Sequence, residues 1–196
     1  MIVLALDQSR KNTGFCYGAA DIDVVPKWGV QPFESYGENG VLLIREVRKW
    51  AISLMEIVRP DAVYCEQIVI NAARFNSQTV YEQFEVVAGI EAACDFIGCE
   101  CLMVDIGTWR KRGLGRGNAP KWTVDRTDWL KDAAMKACAE RNWLIDNHHA
   151  AEAALIWDFG AAHLDIEYRR RTAARVTRVR MAMEALAREH GEKAAA

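Results

Sequence analysis

The sequence predicts an α/β protein built on a mixed five-stranded sheet with helices on its faces. Five short apolar runs have the length of strands, and the longer segments between them repeat apolar residues at helical spacing. The chain has 196 residues, 51% of them hydrophobic, which is enough to bury a substantial core. The N-terminus has no basic segment followed by an apolar signal core, and no apolar run is long enough to span a bilayer, so we expect a cytoplasmic location.

The first three predicted strands follow one another closely and should form an antiparallel meander. Residues 2–6 are continuously apolar and are followed by Asp7, and residues 13–20 come after a polar turn. Residues 27–34 alternate polar and apolar side chains, and the prolines there are typical of an edge strand. Because Asp7 follows a buried strand, its carboxylate should lie where that strand leaves the sheet. An aspartate in this setting can equally cap a turn.

The later elements alternate between helix and strand. Helical spacing predicts a helix over residues 41–58, and the strand over 61–66 should return parallel to the first one, which would place Glu66 beside Asp7. The remaining predicted elements are a helix at 76–97, a strand at 100–104, a basic glycine-rich loop at 105–127, a helix at 129–142 and a helix from about residue 146. We expect one domain over residues 1–164 and a basic, helical or partly disordered tail over 165–196.

A third acidic position lies in the segment DNHHAAEAALIW, which begins at Asp146. Helical spacing puts His149 and Glu152 on one face, so a helix crossing the sheet edge would bring Glu152 to Asp7 and Glu66, with either His149 or Asp146 completing the group. Crowded carboxylates repel one another unless cations lie between them, which predicts Mg²⁺ or Mn²⁺. Two such ions suit hydrolysis of a phosphodiester in nucleic acid. Taken singly, Glu152 could be a solvated charge and His149 a buried structural histidine.

Three segments resemble motifs of the RuvC-type Holliday junction resolvases. The opening LALDQSRKNTGFCYG resembles their aspartate-ended first strand, YCEQIVI their second motif ending in Glu-Gln, and HHAAEAALIW their last helix. The likeness covers residues 1–159, and the TWRK and GRGNAP segments are most similar to phage and prophage members. The resemblance implies a ribonuclease H-like fold and a homodimer joined through the helix at 76–97. It also implies a crossover junction endodeoxyribonuclease that cleaves branched DNA with two Mg²⁺ ions, for which Mn²⁺ could substitute.

The resemblance also assigns roles to individual residues. Asp7 and Glu66 match the first two metal ligands of the family, Glu152 matches the last, and His149 matches a position occupied by Asp in some members and His in others. These four are the predicted catalytic residues. Glu152 stands where the family usually has Asp, and its extra methylene displaces the carboxylate, so Asp146 is a further candidate metal ligand.

The basic loop and an aromatic residue are predicted to contact DNA. The loop has closely spaced arginines and lysines with tryptophans at its edges, a composition that suits phosphate contacts and base stacking, although a solvated charged loop has the same composition. Phe75 lies near the position where the family inserts an aromatic wedge at the crossover, and would otherwise be a core residue of the next helix. The predicted DNA-binding residues are Phe75, Arg110, Lys111, Arg112, Arg116 and Lys121.

Two other classes of protein fit parts of the sequence. An actin-like ATPase or sugar kinase also begins with Asp after its first strand, and VDIGT at 104–108 resembles its second phosphate loop. Such proteins need a second complete domain, for which this chain has no room. A catalytically idle protein that binds DNA junctions would keep the same fold, and the substitution at Glu152 keeps that alternative open.

The six cysteines show no paired CxxC pattern and are expected to be buried free thiols, as suits a reducing compartment. Cys94, Cys99 and Cys101 form the only cluster in the sequence, and the lack of a nearby histidine disfavours a zinc site.

Overall fold

The structure is a computed structural model that describes residues 1–9, 11–33, 40–69 and 77–195. Side chains are not described for residues 40–42 and 190–195. The elements in chain order are β1 (Ile2–Asp7), β2 (Thr13–Ala19), β3 (Lys27–Gln31), α1 (Gly40–Val58), β4 (Ala62–Glu66), α2 (Ser77–Ile97), β5 (Glu100–Val104), α3 (Ile106–Leu114), α4 (Arg126–Ala139), α5 (His148–Leu164) and α6 (Ile166–Ala195).

The five strands form one mixed sheet in the order β3-β2-β1-β4-β5. β2 pairs antiparallel with β1 and with β3, whereas β4 pairs parallel with β1 and with β5. The prediction of a meander followed by parallel strands is therefore confirmed. The central strand β1 is buried from Val3 onward, which explains its continuous apolar run.

Helices cover both faces of this sheet, and alternation along the strands supplies each face with apolar side chains. Leu4 and Leu6 of β1 join α1 and α2 in one core cluster. Val3 and Ala5, which point the other way, join the cluster formed by α3, α4, α5 and α6. The helix α5 lies directly on β1 and β2, so residues of its first turn are held close to the end of β1.

The C-terminal helix α6 packs on this second core. Its side chains Tyr168, Val179 and Met183 are buried in the same cluster as α5. The tail predicted over residues 165–196 is helical from Ile166 through Ala195, and the division of the chain into a domain and a tail at residue 164 stays a prediction.

A buried ionic group joins α3, α5 and α6. Asp158 on α5 is 1% exposed and lies 3.1 Å from Nε of Arg112 and 3.5 Å from Nη2 of Arg141. The hydroxyl of Tyr168 donates to Asp158 over 2.8 Å, and the guanidinium of Arg112 also donates to the hydroxyl of Thr172 on α6. These positive and donor groups hold the pKa of Asp158 below its usual range in spite of its burial. The carboxylate is therefore charged and fully paired.

The prediction of a loop over residues 105–127 is wrong for its first half, because Ile106–Leu114 forms the helix α3. Asp105 caps this helix by accepting the N–H of Thr108 over 2.9 Å, and Gly115 ends it in the left-handed conformation at φ 73°. Trp109 anchors the helix in the core with no exposed surface. Asp105 and Gly115 are recognisable in the sequence as helix-capping residues. The helix between them was missed because its glycines and charged residues are typical of a loop.

All six cysteines are free thiols, as predicted, and four of them are buried. Cys94, Cys99 and Cys101 are not part of any group of ligand atoms close enough to hold a metal ion within the part of the chain that the structure describes. In that same part, every helix is too short or too polar to span a bilayer.

Candidate active site

Two predicted site residues are positioned by the pairing of β1 with β4. Leu6 pairs with Cys65, so Asp7 and Glu66, the next residue of each strand, lie side by side at the same edge of the sheet. The side-chain amide of Gln8 bridges the two strand ends. Its Oε1 accepts the backbone N–H of Glu66 over 3.0 Å, and its Nε2 donates to the carbonyl of Glu66. This double contact fixes the separation of the two carboxylate-bearing strand ends.

The first turn of α5 carries the other two predicted site residues. Asn147 caps the helix, its Oδ1 accepting the N–H of His149 over 2.9 Å. The helix start rests directly on β2, because a Cβ at Gly14 would overlap the backbone carbonyl of His149. Gly14 is also the residue that pairs with Asp7. The absent side chain therefore lets α5 approach until Nδ1 of His149 lies 2.9 Å from Oδ2 of Asp7.

Three of these side chains form a compact group of potential metal ligands. One ligand atom each from Asp7, His149 and Glu152 lies within 4.8 Å of the other two. Glu66 is not a member of this group but is close enough for the charges of Asp7 and Glu152 to raise its pKa. Asp146 is exposed and lies outside this group, and its role as a metal ligand stays a prediction.

Burial dominates the electrostatics of the group. It raises the pKa of Asp7 to about 7, that of Glu66 to about 8 and that of Glu152 to about 7. Arg110 opposes the rise in the pKa of all three carboxyls. Burial also lowers the pKa of His149 below its ordinary 6.5, so the imidazole is neutral near pH 7. The site is thus short of positive charge.

Helix α3 contributes two contacts that the sequence did not predict. The indole Nε1 of the buried Trp109 donates to Oε2 of Glu66 over 2.9 Å. Nη2 of Arg110 lies 3.5 Å from Oε1 of Glu152, and the guanidinium stacks over the Trp109 ring at 5.1 Å. The Nε of Arg110 is buried and has no hydrogen-bond partner among the described residues. Arg110 therefore lies inside the site, with one donor free for an anion.

The other predicted DNA-binding residues are dispersed. Lys111 and Lys121 are exposed, and Arg116 is half-buried, donating from Nε to the carbonyl of Asn118 over 2.8 Å. Arg112 departs from the expectation of an exposed basic loop, because its side chain is only 15% exposed and is bound to Asp158 in the core. We therefore do not retain Arg112 as a DNA contact. Phe75 lies outside the described residues.

A polar groove of about 520 Å³ opens beside His149. One wall is the turn between β1 and β2, and the other is the first part of α2. Its lining residues besides His149 are Ser9, Lys11, Asn12, Gln78, Thr79, Glu82 and Gln83. The groove gives a polar ligand access to His149, one member of the group of potential metal ligands.

No protein-family model matches the sequence, and no curated protein matches it at a significant level. Solved structures do match. Thermus thermophilus RuvC matches at TM-score 0.58 and 16% identity, covering 80% of this chain and 91% of that one. T. thermophilus RuvC in complex with Holliday junction substrate gives TM-score 0.62 and 14% identity over 88% of this chain and 97% of that one. The yeast mitochondrial Holliday junction resolvase Ydc2 gives TM-score 0.52 and 13% identity over 93% of this chain and 83% of that one. The chain therefore has the fold of the RuvC-type Holliday junction resolvases.

Proposed function

We propose that this protein is a divalent-metal-dependent endonuclease that hydrolyses phosphodiesters in branched DNA, Holliday junctions in particular. The observation that carries the proposal is the group formed by Asp7, His149 and Glu152, whose ligand atoms lie within 4.8 Å of one another with Glu66 beside them. The fold similarity to T. thermophilus RuvC in complex with Holliday junction substrate supports the choice of branched DNA as substrate.

The donor set fits a hard divalent cation. Carboxylate oxygens are the preferred ligands of Mg²⁺ and Mn²⁺, and the single imidazole nitrogen is more typical of Mn²⁺ than of Mg²⁺. Buried carboxyls with a raised pKa would be stabilised in their charged form by such an ion. We propose that Asp7, Glu152 and His149 hold one ion and that Asp7 and Glu66 hold a second, with Mg²⁺ as the usual metal and Mn²⁺ as its substitute.

The chemistry that two such ions supply when bound is activation of a water molecule and stabilisation of charge on the phosphate oxygens. The residues of the chain provide positioning and charge. Gln8 holds the end of β4, Trp109 fixes one oxygen of Glu66, and the hydrogen bond to Asp7 orients the imidazole of His149. Arg110 supplies a guanidinium whose free Nε is suited to an oxygen of the cleaved phosphate.

The surroundings of the site offer groups for binding nucleic acid. Lys11 in the polar groove and Lys111, Arg116 and Lys121 on and after α3 are cations suited to phosphates on either side of the cleaved bond. Trp122, which is 50% exposed next to Lys121, is suited to stacking on an unpaired base. The role of Phe75 at the crossover stays a prediction.

The proposal includes a homodimer, because a symmetric junction cut on two strands requires two active sites related by symmetry. The helix α2 is the proposed interface. Its Tyr81 and Phe84 are 68% and 48% exposed, and Phe84 borders a cavity of about 320 Å³ together with Met103 and Ile68. Exposed apolar groups of this extent are typical of association surfaces. Sedimentation at micromolar concentration is expected to give twice the monomer mass, and a monomer would remove this part of the proposal.

Cleavage of labelled four-way junction, flap and linear duplex, with Mg²⁺ and separately with Mn²⁺, tests the function. We expect metal-dependent nicks on the branched substrates, with the junction cut fastest and the linear duplex left intact. Tight binding to the junction without cleavage in either metal would instead favour an idle junction-binding protein. In that case Glu152→Asp, which restores the residue usual in the resembled family, is the first variant to examine.

A further inference from the structure

The helix α6 concentrates positive charge in a protein whose net charge is -2. Between Glu167 and Glu184 it contains six arginines and no acidic residue. Three of the six contact neighbouring groups: Arg170 with Glu167, Arg171 with Asp23, and Arg175 with the ring of Trp143. The other three, Arg169, Arg178 and Arg180, are exposed and have no ion-pair partner among the described side chains.

Helical geometry puts two of these free arginines on one edge of α6. Arg169 and Arg180 are separated by three turns, so their side chains leave the helix in nearly the same direction, roughly 16 Å apart. The residues between them along that edge are the half-buried Val176 and the exposed Ala173 and Thr177. The neighbouring face of the helix, about 90° away, is fixed against the core by Tyr168, Thr172 and Val179. The edge therefore presents two cations to solvent, with only short, uncharged side chains between them.

This edge adjoins the basic residues that follow the active site. A Cβ at Gly115, the residue that ends α3, would lie 2.7 Å from Cβ of Arg180, so the Arg180 side chain begins against the end of α3. Lys111 is exposed in the last turn of α3, and Arg116 follows Gly115 directly. One line of cations thus runs from Arg110 in the site, along α3, to α6.

We propose that Arg169 and Arg180 extend this line into a binding surface for the phosphate backbone of a double-stranded DNA arm. The inference rests on the proposed function and adds a contact remote from the cleaved bond. Duplex DNA carries one negative charge per about 1.7 Å of its axis, so an edge roughly 16 Å long faces several phosphates. The side chains between the arginines are short and uncharged and leave room for the phosphate backbone, and the absence of acids between Glu167 and Glu184 avoids repulsion.

Salt dependence of binding distinguishes phosphate contacts from a merely solvated helix. The substrates are a fluorescent linear duplex and a four-way junction with long arms, measured by anisotropy in EDTA so that no cleavage occurs. The double variant Arg169→Gln/Arg180→Gln is compared with Arg45→Gln/Arg188→Gln, which removes the same charge from exposed positions on α1 and near the end of α6. Thermal unfolding by circular dichroism verifies that both variants are folded.

The slope of log affinity against log salt concentration should fall by about 2 in the first variant, since each phosphate contact contributes roughly 0.9. The control variant should keep the slope of the parent. The inference would be overturned if the two double variants had the same salt slope, or if both lost the same amount of affinity for DNA. Cleavage of the same junction by the parent protein in Mg²⁺ tests the proposed function separately, so that either can fail without the other.

Discussion

The indole Nε1 of Trp109 donates a 2.9 Å hydrogen bond to Oε2 of Glu66, and this single contact ties helix α3 to the end of β4. The tryptophan has no exposed surface, so the bond is shielded from competing water. It leaves the second oxygen of Glu66 available to a ligand while limiting the rotation of the carboxylate.

Trp109→Phe should keep the buried ring but lose the donor to Glu66. Removing a group that orients a metal ligand typically lowers metal affinity or activity 10- to 100-fold, so we expect a loss of that order in Mg²⁺ affinity. The lost hydrogen bond should also reduce the free energy of unfolding by about 1–3 kcal/mol. Calorimetric titration with Mg²⁺ and urea unfolding measure the two quantities.

Trp129→Phe is the matched control for this prediction. Trp129 is equally buried, and its indole nitrogen has no hydrogen-bond partner among the described residues. The control should lose stability from the smaller ring and keep the parent's metal affinity. Equal metal affinities in the two variants would contradict the orienting role of Trp109.

The metal-free protein should become less stable as the pH rises. Native pKa values of about 7 to 8 for Asp7, Glu66 and Glu152 exceed the ordinary 3.8 and 4.5, so the native state binds more protons than the unfolded state between about pH 4 and 8. The lowered pKa of His149 acts in the opposite direction only up to about its ordinary value of 6.5. The three carboxyls outweigh the single imidazole, so the free energy of unfolding in EDTA should decrease from about pH 5 to pH 8.

Urea unfolding at several pH values measures this dependence. Glu66→Gln cannot ionise and should flatten the curve, and saturating Mg²⁺ should restore stability at pH 8 because it neutralises the carboxylates. A parent protein whose stability rises steadily from pH 6.5 to 8 without metal would show that the carboxylates are charged in the native state and that the raised pKa values are wrong.

Asp158→Ala should destabilise the fold strongly. It would leave the guanidinium of Arg141, which is fully buried, without its counter-charge, a change that typically costs about 3–5 kcal/mol. Asp128→Ala is the comparison, because its ion pair with Lys131 is exposed and should be worth less than about 1 kcal/mol. Similar unfolding free energies for the two variants would mean that the Asp158 group does not hold α6 and α3 to the core.

Gly14→Ala should displace the start of α5 and with it His149. The new Cβ would overlap the carbonyl of His149, and overpacking of this kind costs about 1–3 kcal/mol or more. Gly98→Ala provides the contrast, since φ there is 79° but no atom lies within 4 Å of the added Cβ. Both variants should unfold earlier than the parent, but only Gly14→Ala should weaken Mg²⁺ binding; unchanged binding would argue against the close approach of α5 as the basis of the site.

The placement of Asp7 beside Glu66 could be predicted because it depends on local patterns. Two short apolar runs each end in a carboxylate, and the helix between them requires the second strand to return parallel to the first. The position of Glu152 relative to His149 follows in the same way from helical spacing. What the sequence patterns could not predict was that α5 packs against the sheet at the ends of β1 and β4, and this had to be assumed.

The contributions of α3 could not be predicted, because they depend on partners distant in the sequence. Trp109 and Glu66 are 43 residues apart, and Arg112 donates to the backbone of a residue 46 positions away. Nothing in the spacing of the basic residues distinguishes Arg110 in the site, Arg112 in the core and Lys111 at the surface, although they are consecutive. The three side chains lie in different surroundings because successive helical residues point about 100° apart.

Mapping the nicks on a labelled four-way junction under single-turnover conditions tests the central claim most directly. The parent protein in Mg²⁺ should introduce nicks at symmetric positions in two strands, Asp7→Asn should abolish them, and Asp146→Asn, which alters an exposed carboxylate outside the ligand group, should retain them. Nicks that persist in Asp7→Asn, or a junction left intact by the parent in both Mg²⁺ and Mn²⁺, would contradict the account.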